Sequence, residues 1–415
     1  MSGIKKSNCL TNKKSCPENN HGEHIAVTNF REYLRIPSVQ PNINYDDCVK
    51  FLEKQAESLG LPIKVHSFVP GKPVVIITWT GLEPAEQSIL LNSHMDVVPV
   101  YPEEWTHDPF GAEKDENGNI YARGAQDMKC VGIQYLETIR RYINEGKRCK
   151  RTIHVSFVPD EEIGGGEGMS LFVTTDVFKK LNVGCALDEG IASPTEVFAL
   201  FNGERTIWQM KIHCPGTPGH GSLLHDNTAA EKVQLIMNKF MTLRQEEKNK
   251  LKANKNFTIG DVTTINITML SGGVQVNVLP PEFILGVDCR LAVDRDLDAF
   301  LSMIQGWCKE AGEGTRVEFT SKDNYVPPTL LNEKNKWWTT LRGQLEALKL
   351  EIKPQIFPGG TDSRYIRKIG IPAFGFSPMN KTPVLLHDND EFLNEKTFLR
   401  GIDIYHTIIQ ALANL

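Results

Sequence analysis

The chain has 415 residues, of which 40% are hydrophobic and 23% are charged, and its formal net charge is −5. The length predicts more than one domain in an ordinary globular protein. The modest negative charge argues against a nucleic-acid-binding protein, which would need a basic surface, and no segment approaches the roughly 20 apolar residues of a membrane helix.

The N-terminal 24 residues are polar and rich in lysine. They lack the apolar segment of a secretory signal, so we interpret residues 1–24 as a flexible tail rather than a functional arm. The nine cysteines are scattered along the chain without CxxC pairs. Their odd number and their spacing favour reduced thiols in a cytoplasmic protein and argue against a zinc site built on cysteine.

Helices and strands alternate between residues 25 and 201. Apolar residues at helical spacing predict helices over residues 47–59 and 127–144. Short apolar runs, each bounded by turn residues, predict strands over residues 74–78, 88–92, 151–158 and 183–187. This alternation is typical of an α/β domain with a largely parallel central sheet.

The pattern changes near residue 202 into a unit with the order β-α-β-β-α-β. Its predicted elements are a strand over 206–213, a helix from about 228 to 255, strands over 263–270 and 283–291, a helix over 296–310 and a strand over 316–320. Helices follow at about 337–348 and from 394 onward. We expect residues 202–320 to form an α+β domain inserted into the α/β domain, which residues 25–201 and 321–415 build together, because the last segment supplies another residue of the same candidate site.

Polar residues follow the predicted strands at the ends where ligands gather in an open α/β sheet. His94 and Asp96 come first. In an extended run both side chains share one face, so the Asp96 carboxylate is placed to orient a metal-bound His94. An ordinary polar strand end is the alternative. Asp127 precedes the long helix, where it is either a metal ligand or the helix N-cap.

Three further candidate groups follow later in the chain. Glu161 and Glu162 precede three glycines, and this turn lets the two carboxylates converge, although adjacent carboxylates on a surface turn are usually just solvated. Glu189 follows Asp188, which is a rival ligand. His387 stands in the last segment, and a lone histidine is more often structural than a ligand.

These residues stand in motifs that resemble those of the zinc aminoacylase and carboxypeptidase family. Residues 93–99 (SHMDVVP) resemble its first metal motif, residues 123–129 (RGAQDMK) its second and residues 160–165 (DEEIGG) its third. The linking segment 105–110 (WTHDPF) is also similar, and the order of all five ligand positions matches. The similarity covers nearly the whole chain after the tail, and the ordered set of motifs is highly specific.

The resemblance implies a zinc-exopeptidase-like catalytic domain with a mixed central sheet that holds two Zn²⁺ ions per subunit. Asp127 would bridge the two ions. His94 and Glu189 would complete one site. Glu162 and His387 would complete the other. Nitrogen and oxygen ligands without thiolates suit catalytic zinc.

The resemblance also implies the roles of the neighbouring carboxylates. Glu161 is not used as a ligand, so it is free to act as the general base that takes a proton from water and returns it to the leaving amine. Asp96 would support catalysis from behind His94. Glutamate at position 189 is the choice of the deacylases and carboxypeptidases, whereas the dipeptidases use aspartate.

The inserted domain would be a lid and dimerisation domain. His220 matches a lid histidine that reaches across a dimer into the partner's active site as an oxyanion donor; without the resemblance, a turn histidine would be favoured. Asn277 matches a polar lid residue near the substrate. Arg290 and Arg364 are candidates for binding a substrate α-carboxylate, because arginine can hold a carboxylate through two parallel hydrogen bonds. The alternatives are an edge-strand salt bridge for Arg290 and a surface helix charge for Arg364.

Three functional hypotheses follow. The leading one is hydrolysis of small N-acyl-L-amino acids by a cytoplasmic homodimer that binds neither nucleic acid nor membranes. A metallocarboxypeptidase or dipeptidase on the same fold would place a free carboxylate in the same pocket, so the sequence separates these activities poorly. A non-enzymatic zinc- or peptide-binding protein would be expected to lack a ligand or the general base, and the sequence has them all.

Overall fold

The structure is a computed structural model that describes residues 22–415. Residues 1–21 of the predicted flexible tail lie outside the described residues. His24 caps the first helix, and its Nδ1 accepts a hydrogen bond from the N–H of Ala26 at 3.1 Å. Within the described range, no helix is long and apolar enough to cross a membrane.

The helices follow the apolar periodicity of the sequence and its capping residues. The last turn of α2 is followed by Gly60, whose φ of 65° suits a left-handed C-cap, and α6 begins with a capping box formed by Thr228 and Glu231. The α-helices of the described residues are α1 (Ile25–Leu34), α2 (Asp46–Leu59), α3 (Lys129–Asn144), α4 (Met169–Phe172), α5 (Asp176–Lys180), α6 (Ala229–Ala253), α7 (Leu297–Ala311), α8 (Lys336–Ala347), α9 (Ser363–Lys368) and α10 (Glu395–Ala413).

The strands fall into one large sheet, one sheet of four strands and two small ribbons. They are β1 (Ile63–Val69), β2 (Lys72–Trp79), β3 (Ser88–His94), β4 (Glu113–Lys114), β5 (Asn119–Tyr121), β6 (Ile153–Val158), β7 (Val183–Asp188), β8 (Phe198–Glu204), β9 (Thr206–Pro215), β10 (Gly219–His220), β11 (Thr264–Ser271), β12 (Val278–Leu279), β13 (Glu282–Leu291), β14 (Arg316–Lys322), β15 (Ile352–Phe357), β16 (Ala373–Gly375) and β17 (Phe392–Asn394).

The large sheet has the strand order β1-β2-β6-β3-β7-β16-β8-β15. β3 pairs in parallel with β6 and β7, β7 with β16, and β8 with β15, whereas β1, β2 and β6 pair antiparallel. The central strands β3, β6 and β7 are buried along their whole length, as expected for strands covered on both faces. The predicted α/β fold with a mixed, largely parallel sheet is confirmed.

Helices cover both faces of the large sheet. One core contains Phe30, Leu136 and Ile408, from α1, α3 and α10. The other contains Phe172 and Ile366, from α4 and α9. Such cores supply the main stabilisation of a domain, because each fully buried aliphatic or aromatic side chain contributes roughly 1.5–3 kcal/mol. Together they fix the strand ends of β3, β6 and β7, at which the candidate residues lie.

A second, antiparallel sheet has the order β11-β13-β9-β14, and we call it the lid sheet. α6 and α7 pack on one face of it around a separate core. β8 ends at Glu204 in the large sheet and β9 begins at Thr206 in the lid sheet, so the chain crosses at Arg205. The Arg205 guanidinium donates hydrogen bonds to the carbonyls of Pro358 and Val262, which lie on the two sides of this crossing.

Candidate functional site

The carboxylate of Asp127 lies between two histidines. Its Oδ1 is 3.2 Å from Nε2 of His94, and its Oδ2 is 3.1 Å from Nε2 of His387. His94 is the last residue of β3, and His387 lies in the loop before β17. The N-cap of α3 is Met128 rather than Asp127, so the Asp127 side chain is available for these two contacts.

Two glutamates lie beside the two histidines. Oε2 of Glu162 is 3.1 Å from Nε2 of His387, and Oε2 of Glu189 is 3.8 Å from Nε2 of His94. The structure therefore brings all five predicted ligands together, and it groups each glutamate with the histidine that the family resemblance implies. Asp127 stands at the centre of both groups.

Asp188 points away from this cluster. Its Oδ1 accepts a hydrogen bond from Asn92 at 3.0 Å, and its Oδ2 accepts one from Ser363 at 2.7 Å. Consecutive residues at a strand end project to opposite sides, so Asp188 and Glu189 cannot both face the histidines. The geometry thus selects Glu189 over its neighbour.

Burial raises the pKa of most carboxyl groups in the cluster. The pKa values of Glu161 and Glu189 lie well above the usual range, first because both groups are buried and then because neighbouring carboxylates repel their charges. The same causes raise the pKa of Glu162 to about 7. Asp127 differs: although burial acts against its charge, hydrogen bonds from the two histidines hold its pKa below the usual value. The buried carboxylates of the cluster thus outnumber its two histidines, so additional positive charge would stabilise their ionised forms.

The donor set fits divalent cations. The N···O separations of 3.1 and 3.2 Å are close to the ~3.3 Å expected between two ligands of a tetrahedral ion at ~2.0 Å. Among the described residues, Oε1 of Glu162 is buried without a hydrogen-bond partner. The potential ligand atoms lie within 4.8 Å of one another in two groups: His94, Glu161 and Glu189, and His94, Asp127 and Glu162.

Asp96 is placed differently from the expectation of an extended run. β3 ends at His94, and the His94 Nδ1 lies 2.8 Å from the backbone carbonyl of Asp96 but 3.6 Å from its carboxylate. A carbonyl only accepts, so Nδ1 carries the proton and Nε2 is left to face Asp127. The Asp96 carboxylate instead accepts the backbone N–H groups of Glu161 and Glu162, at 3.1 Å each. The residue therefore orients His94 with its main chain and the glutamate pair with its side chain.

A cavity of about 840 Å³ opens over the cluster, between the large sheet and the lid sheet. Its lining includes Glu161 and His387 from the candidate centre and Ile207 and Arg290 from the lid sheet. This volume is in the range of small-molecule sites, which are usually mostly apolar with a few placed polar groups. The ionisable cluster and apolar side chains such as Ile207 thus face the same cavity.

Two arginines line the same cavity. Arg290 makes a two-pronged ion pair with Asp288, at 2.9 and 3.1 Å. Its strand, β13, pairs with both β11 and β9 and so is not an edge strand, but the salt bridge of that alternative is present. Arg364 is the second residue of α9, is partly buried, and donates a hydrogen bond to the carbonyl of Gly164 at 2.8 Å. It is therefore not a plain surface charge.

His220 and Asn277 lie away from this cavity in the single chain. Both are exposed, on neighbouring segments of the lid domain where His220 pairs with Val278. The Nδ1 of His220 accepts hydrogen bonds from Ser222, at 3.2 Å from its backbone N–H and 2.8 Å from its hydroxyl. The structure thus does not bring these two predicted residues to the ligands.

Glu391 was missed in the sequence because its only signal there is its position four residues after His387. Its buried carboxylate accepts hydrogen bonds from the backbone N–H groups of Gln126 and Asp127, at 2.6 and 3.3 Å. It also pairs with the buried guanidinium of Arg123 at 2.8 Å. Glu391 therefore fixes the segment that presents Asp127.

Comparisons with known proteins point in one direction. The sequence profile described as peptidase family M20/M25/M40 matches residues 90–411. The chain is 50% identical to Aminoacylase-1A of Rattus norvegicus and 49% identical to Aminoacylase-1 of Homo sapiens, each over 393 residues that cover 95% of this chain and 96% of the relative.

Solved structures share the fold at lower identity. An M20 family metallo-carboxypeptidase from Sulfolobus solfataricus matches with a TM-score of 0.72 at 17% identity, over 94% of this chain and 99% of that one. A dinuclear metal binding peptidase of the M20 family from Bacillus subtilis matches with a TM-score of 0.65 at 16% identity, over 93% and 98% of the two chains.

Proposed function

Because this chain belongs to peptidase family M20/M25/M40 and is a metal-dependent amidohydrolase, we propose that it hydrolyses N-acyl-L-amino acids to a free L-amino acid and a carboxylate. One observation carries the proposal: Asp127, which lies between two histidines, the buried Glu161 and two arginines border a single cavity. The names of the relatives that are about half identical over nearly the whole chain support the same substrate class.

We assign two zinc ions to the cluster. Asp127 would lie between them, with His94 and Glu189 on one side and Glu162 and His387 on the other. The donors are imidazole nitrogens and carboxylate oxygens, which suits catalytic zinc. When bound, the two ions would lower the pKa of a water molecule between them and polarise the acyl carbonyl.

Glu161 would move the proton. Its carboxyl group is buried beside the cluster, within reach of His94 and Glu189, and the structure gives it no ion pair or side-chain hydrogen bond with any described residue. A buried carboxylate in this position suits a group that first accepts the proton of the attacking water and then donates it to the amide nitrogen. Protonation of that nitrogen lets the C–N bond break with a neutral amine as the leaving group.

The substrate's α-carboxylate would bind to the arginines. Arg290 and Arg364 line the cavity from the lid sheet and from the return segment, so a ligand held by both would span the two domains. Apolar side chains of Ile191, Phe357 and Leu386 line the same space and offer contacts for an acyl chain or an apolar amino-acid side chain. A free carboxylate next to a cleavable amide matches this combination.

A homodimer through the lid domain would complete the site. His220 and Asn277 are exposed in the single chain, and nearby Leu224 and Val276 are among its most exposed apolar side chains. A partner's lid would supply His220 as the oxyanion donor and Asn277 near the substrate. We propose residues 206–322 as the bounds of this lid instead of the predicted 202–320, because β8 belongs to the large sheet up to Glu204 and β14 of the lid sheet runs to Lys322. The cysteines among the described residues are free thiols, which supports a cytoplasmic location.

One experiment separates the proposed activity from carboxypeptidase and dipeptidase activity. Purified protein is assayed for metal content, and acetyl-L-methionine, its amide and simple dipeptides are then compared as substrates by kcat/KM. We expect two zinc ions per chain and a clear preference for the acylated free acid. Dipeptides hydrolysed faster than acetyl-L-methionine would favour a metallocarboxypeptidase or dipeptidase, which would use the same carboxylate pocket.

A further inference from the structure

Asp160, directly before Glu161 and Glu162, has a left-handed backbone with φ of 62°. This conformation is uncommon for a residue other than glycine, and it persists only where surrounding contacts enforce it. The conformation matters for the site because it sets the direction in which the next two side chains leave the main chain. The contacts that hold Asp160 therefore bear on the placement of both glutamates.

Tyr45 and Lys72 hold Asp160 and do not line the cavity. The hydroxyl of Tyr45 accepts the backbone N–H of Asp160 at 3.0 Å and donates to its Oδ1 at 2.8 Å. The ammonium of Lys72 lies 2.7 Å from Oδ2 and 2.9 Å from Oδ1. Tyr45 and Asp160 are each 1% exposed, so these bonds form where water does not compete for them.

Gln40 joins this group to Asp96. Its Nε2 donates to Oδ1 of Asp160 at 2.9 Å and to Oδ2 of Asp96 at 2.8 Å. Asp96 in turn accepts the N–H groups of Glu161 and Glu162. One buried network thus binds three consecutive backbone N–H groups, those of residues 160–162.

The three outer residues come from the N-terminal part of the chain. Gln40 lies in the loop before α2, Tyr45 is the residue before that helix, and Lys72 begins β2. None of them lines the cavity. They can therefore influence the chemistry only through the residues that they hold.

We propose that Gln40, Tyr45 and Lys72 are positioning residues of the hydrolase, which fix the carboxylates of Glu161 and Glu162 through Asp160 and Asp96. The inference rests on the proposed function of those two glutamates. Loss of one contact would let the turn relax, which would displace Glu161 from the attacking water and Glu162 from its metal. Groups that support metal ligands in this way typically change activity or metal affinity by about 10- to 100-fold.

The first test compares Tyr45→Phe with Tyr142→Phe. Tyr142 is a matched control because it is equally buried and its hydroxyl donates one hydrogen bond, to the carbonyl of His406 at 2.5 Å, far from the cavity. The readouts are kcat and KM for acetyl-L-methionine, the thermal midpoint, and the affinity and visible spectrum of bound Co²⁺. We expect Tyr45→Phe to lower kcat about 10- to 100-fold with KM within about threefold, and to weaken Co²⁺ binding. Tyr142→Phe should change only the thermal midpoint.

A second pair tests the network if Tyr45→Phe does not fold. Lys72→Met should reproduce the loss of kcat, and Lys72→Arg should restore most of it because the cation on Asp160 returns. Lys114→Met is the control, since Lys114 makes ion pairs with Glu23 and Glu395 that do not reach the site. Equal losses of kcat in Lys72→Met and Lys114→Met, or no rescue by Lys72→Arg, would overturn the proposal.

The two proposals fail in different ways. If the wild-type protein does not hydrolyse acylated amino acids, the proposed function is wrong, and the Co²⁺ readout alone decides the positioning role. An unchanged Co²⁺ affinity and spectrum in Tyr45→Phe would then overturn it, whereas weaker binding with a changed spectrum would support it. If hydrolysis is present and kcat of Tyr45→Phe equals that of Tyr142→Phe, only the positioning role is wrong.

Discussion

Glu391 allows a test of how the central carboxylate, Asp127, is held in place. The Glu391 side chain is fully buried and accepts hydrogen bonds from the Arg123 guanidinium and from the backbone N–H groups of Gly124, Gln126 and Asp127, at 2.6–3.3 Å. Glutamine has the same shape but only one acceptor oxygen, so in Glu391→Gln its NH₂ group would face donors. The change should loosen the segment that carries Asp127.

The size of the effect follows from the burial of both charges. The side chains of Arg123 and Glu391 are 3% and 0% exposed, and removing one partner of such a pair costs about 3–5 kcal/mol. Each backbone N–H left without an acceptor adds roughly 1–3 kcal/mol, of which relaxation recovers a part. We expect Glu391→Gln to lower the free energy of unfolding by about 4 kcal/mol and metal affinity by about 10- to 100-fold.

Urea unfolding of the metal-free protein and chelator competition for zinc measure the two effects. Glu137→Gln is the control: the Glu137 side chain is 5% exposed and contacts Arg140 on α3 and Asn29 on α1, with no bond to the Asp127 segment. Glu137→Gln should lower the free energy of unfolding by about 1–2 kcal/mol and leave zinc affinity unchanged. If Glu391→Gln lowers the free energy of unfolding no more than Glu137→Gln does, or binds zinc as tightly as the wild type, Glu391 does not hold the Asp127 segment in place.

Four further predictions concern the reaction and the stability of the chain. Glu161→Gln should retain zinc but lose about 10²- to 10⁴-fold in kcat, the range for a general base; near-normal turnover would remove Glu161 from that role. Arg290→Leu should lower kcat/KM about 10- to 100-fold for acylated free acids, since a hydrogen bond to a charged group contributes about 1.5–3 kcal/mol, and much less for the corresponding amides; equal losses would count against a carboxylate contact. Removal of zinc should lower the thermal midpoint in calorimetry, because a ligand at 1,000 times its Kd stabilises the folded state by about 4 kcal/mol; an unchanged midpoint would show that the cluster holds no tightly bound ion. Burial lowers the pKa of His154 to about 4, so the unfolded state takes up a proton more readily than the folded state. The free energy of unfolding should therefore fall by about 3 kcal/mol as the pH falls from 6.5 to 4. His154→Gln should lack this fall in urea unfolding at several pH values, and the same pH dependence in both proteins would contradict the prediction.

The local sequence predicted most of the catalytic sheet because its strands are buried on both faces. The helix predicted over 47–59 is observed at Asp46–Leu59, and the strand predicted over 183–187 at Val183–Asp188. β1 was missed because it is an edge strand with polar residues such as Lys64 and His66 and with no fully buried position. The periodicity of apolar residues reflects which side chains are buried, so it cannot detect a strand that buries few of its side chains.

The clustering of the five proposed ligands was predictable from their motifs, whereas the groups that hold them in place were not. Glu391 accepts backbone N–H groups, and Gln40 donates to two carboxylates, in each case on residues that are distant in sequence. No local pattern marks such a contact. The carboxylate of Asp96 was expected behind His94, but the end of β3 turns it toward the Glu161–Glu162 turn. Which group a buried carboxylate satisfies depends on where distant segments meet, and only the folded structure supplies that information.

The crossing at Arg205 would act as a hinge between the large sheet and the lid sheet. Arg205 is tied to Pro358 on one side and to Val262 on the other, so a rotation between the two sheets would turn about this point. β9 leads away from it, with Ile207 paired to Arg290 near the crossing and Pro215 paired to Glu282 at the far end. At about 3.3 Å per residue, a 10° rotation moves the near pair by about 1 Å and the far pair by about 6 Å. Such a rotation would thus move the far end of the lid sheet while Arg290 stays almost in register with the large sheet.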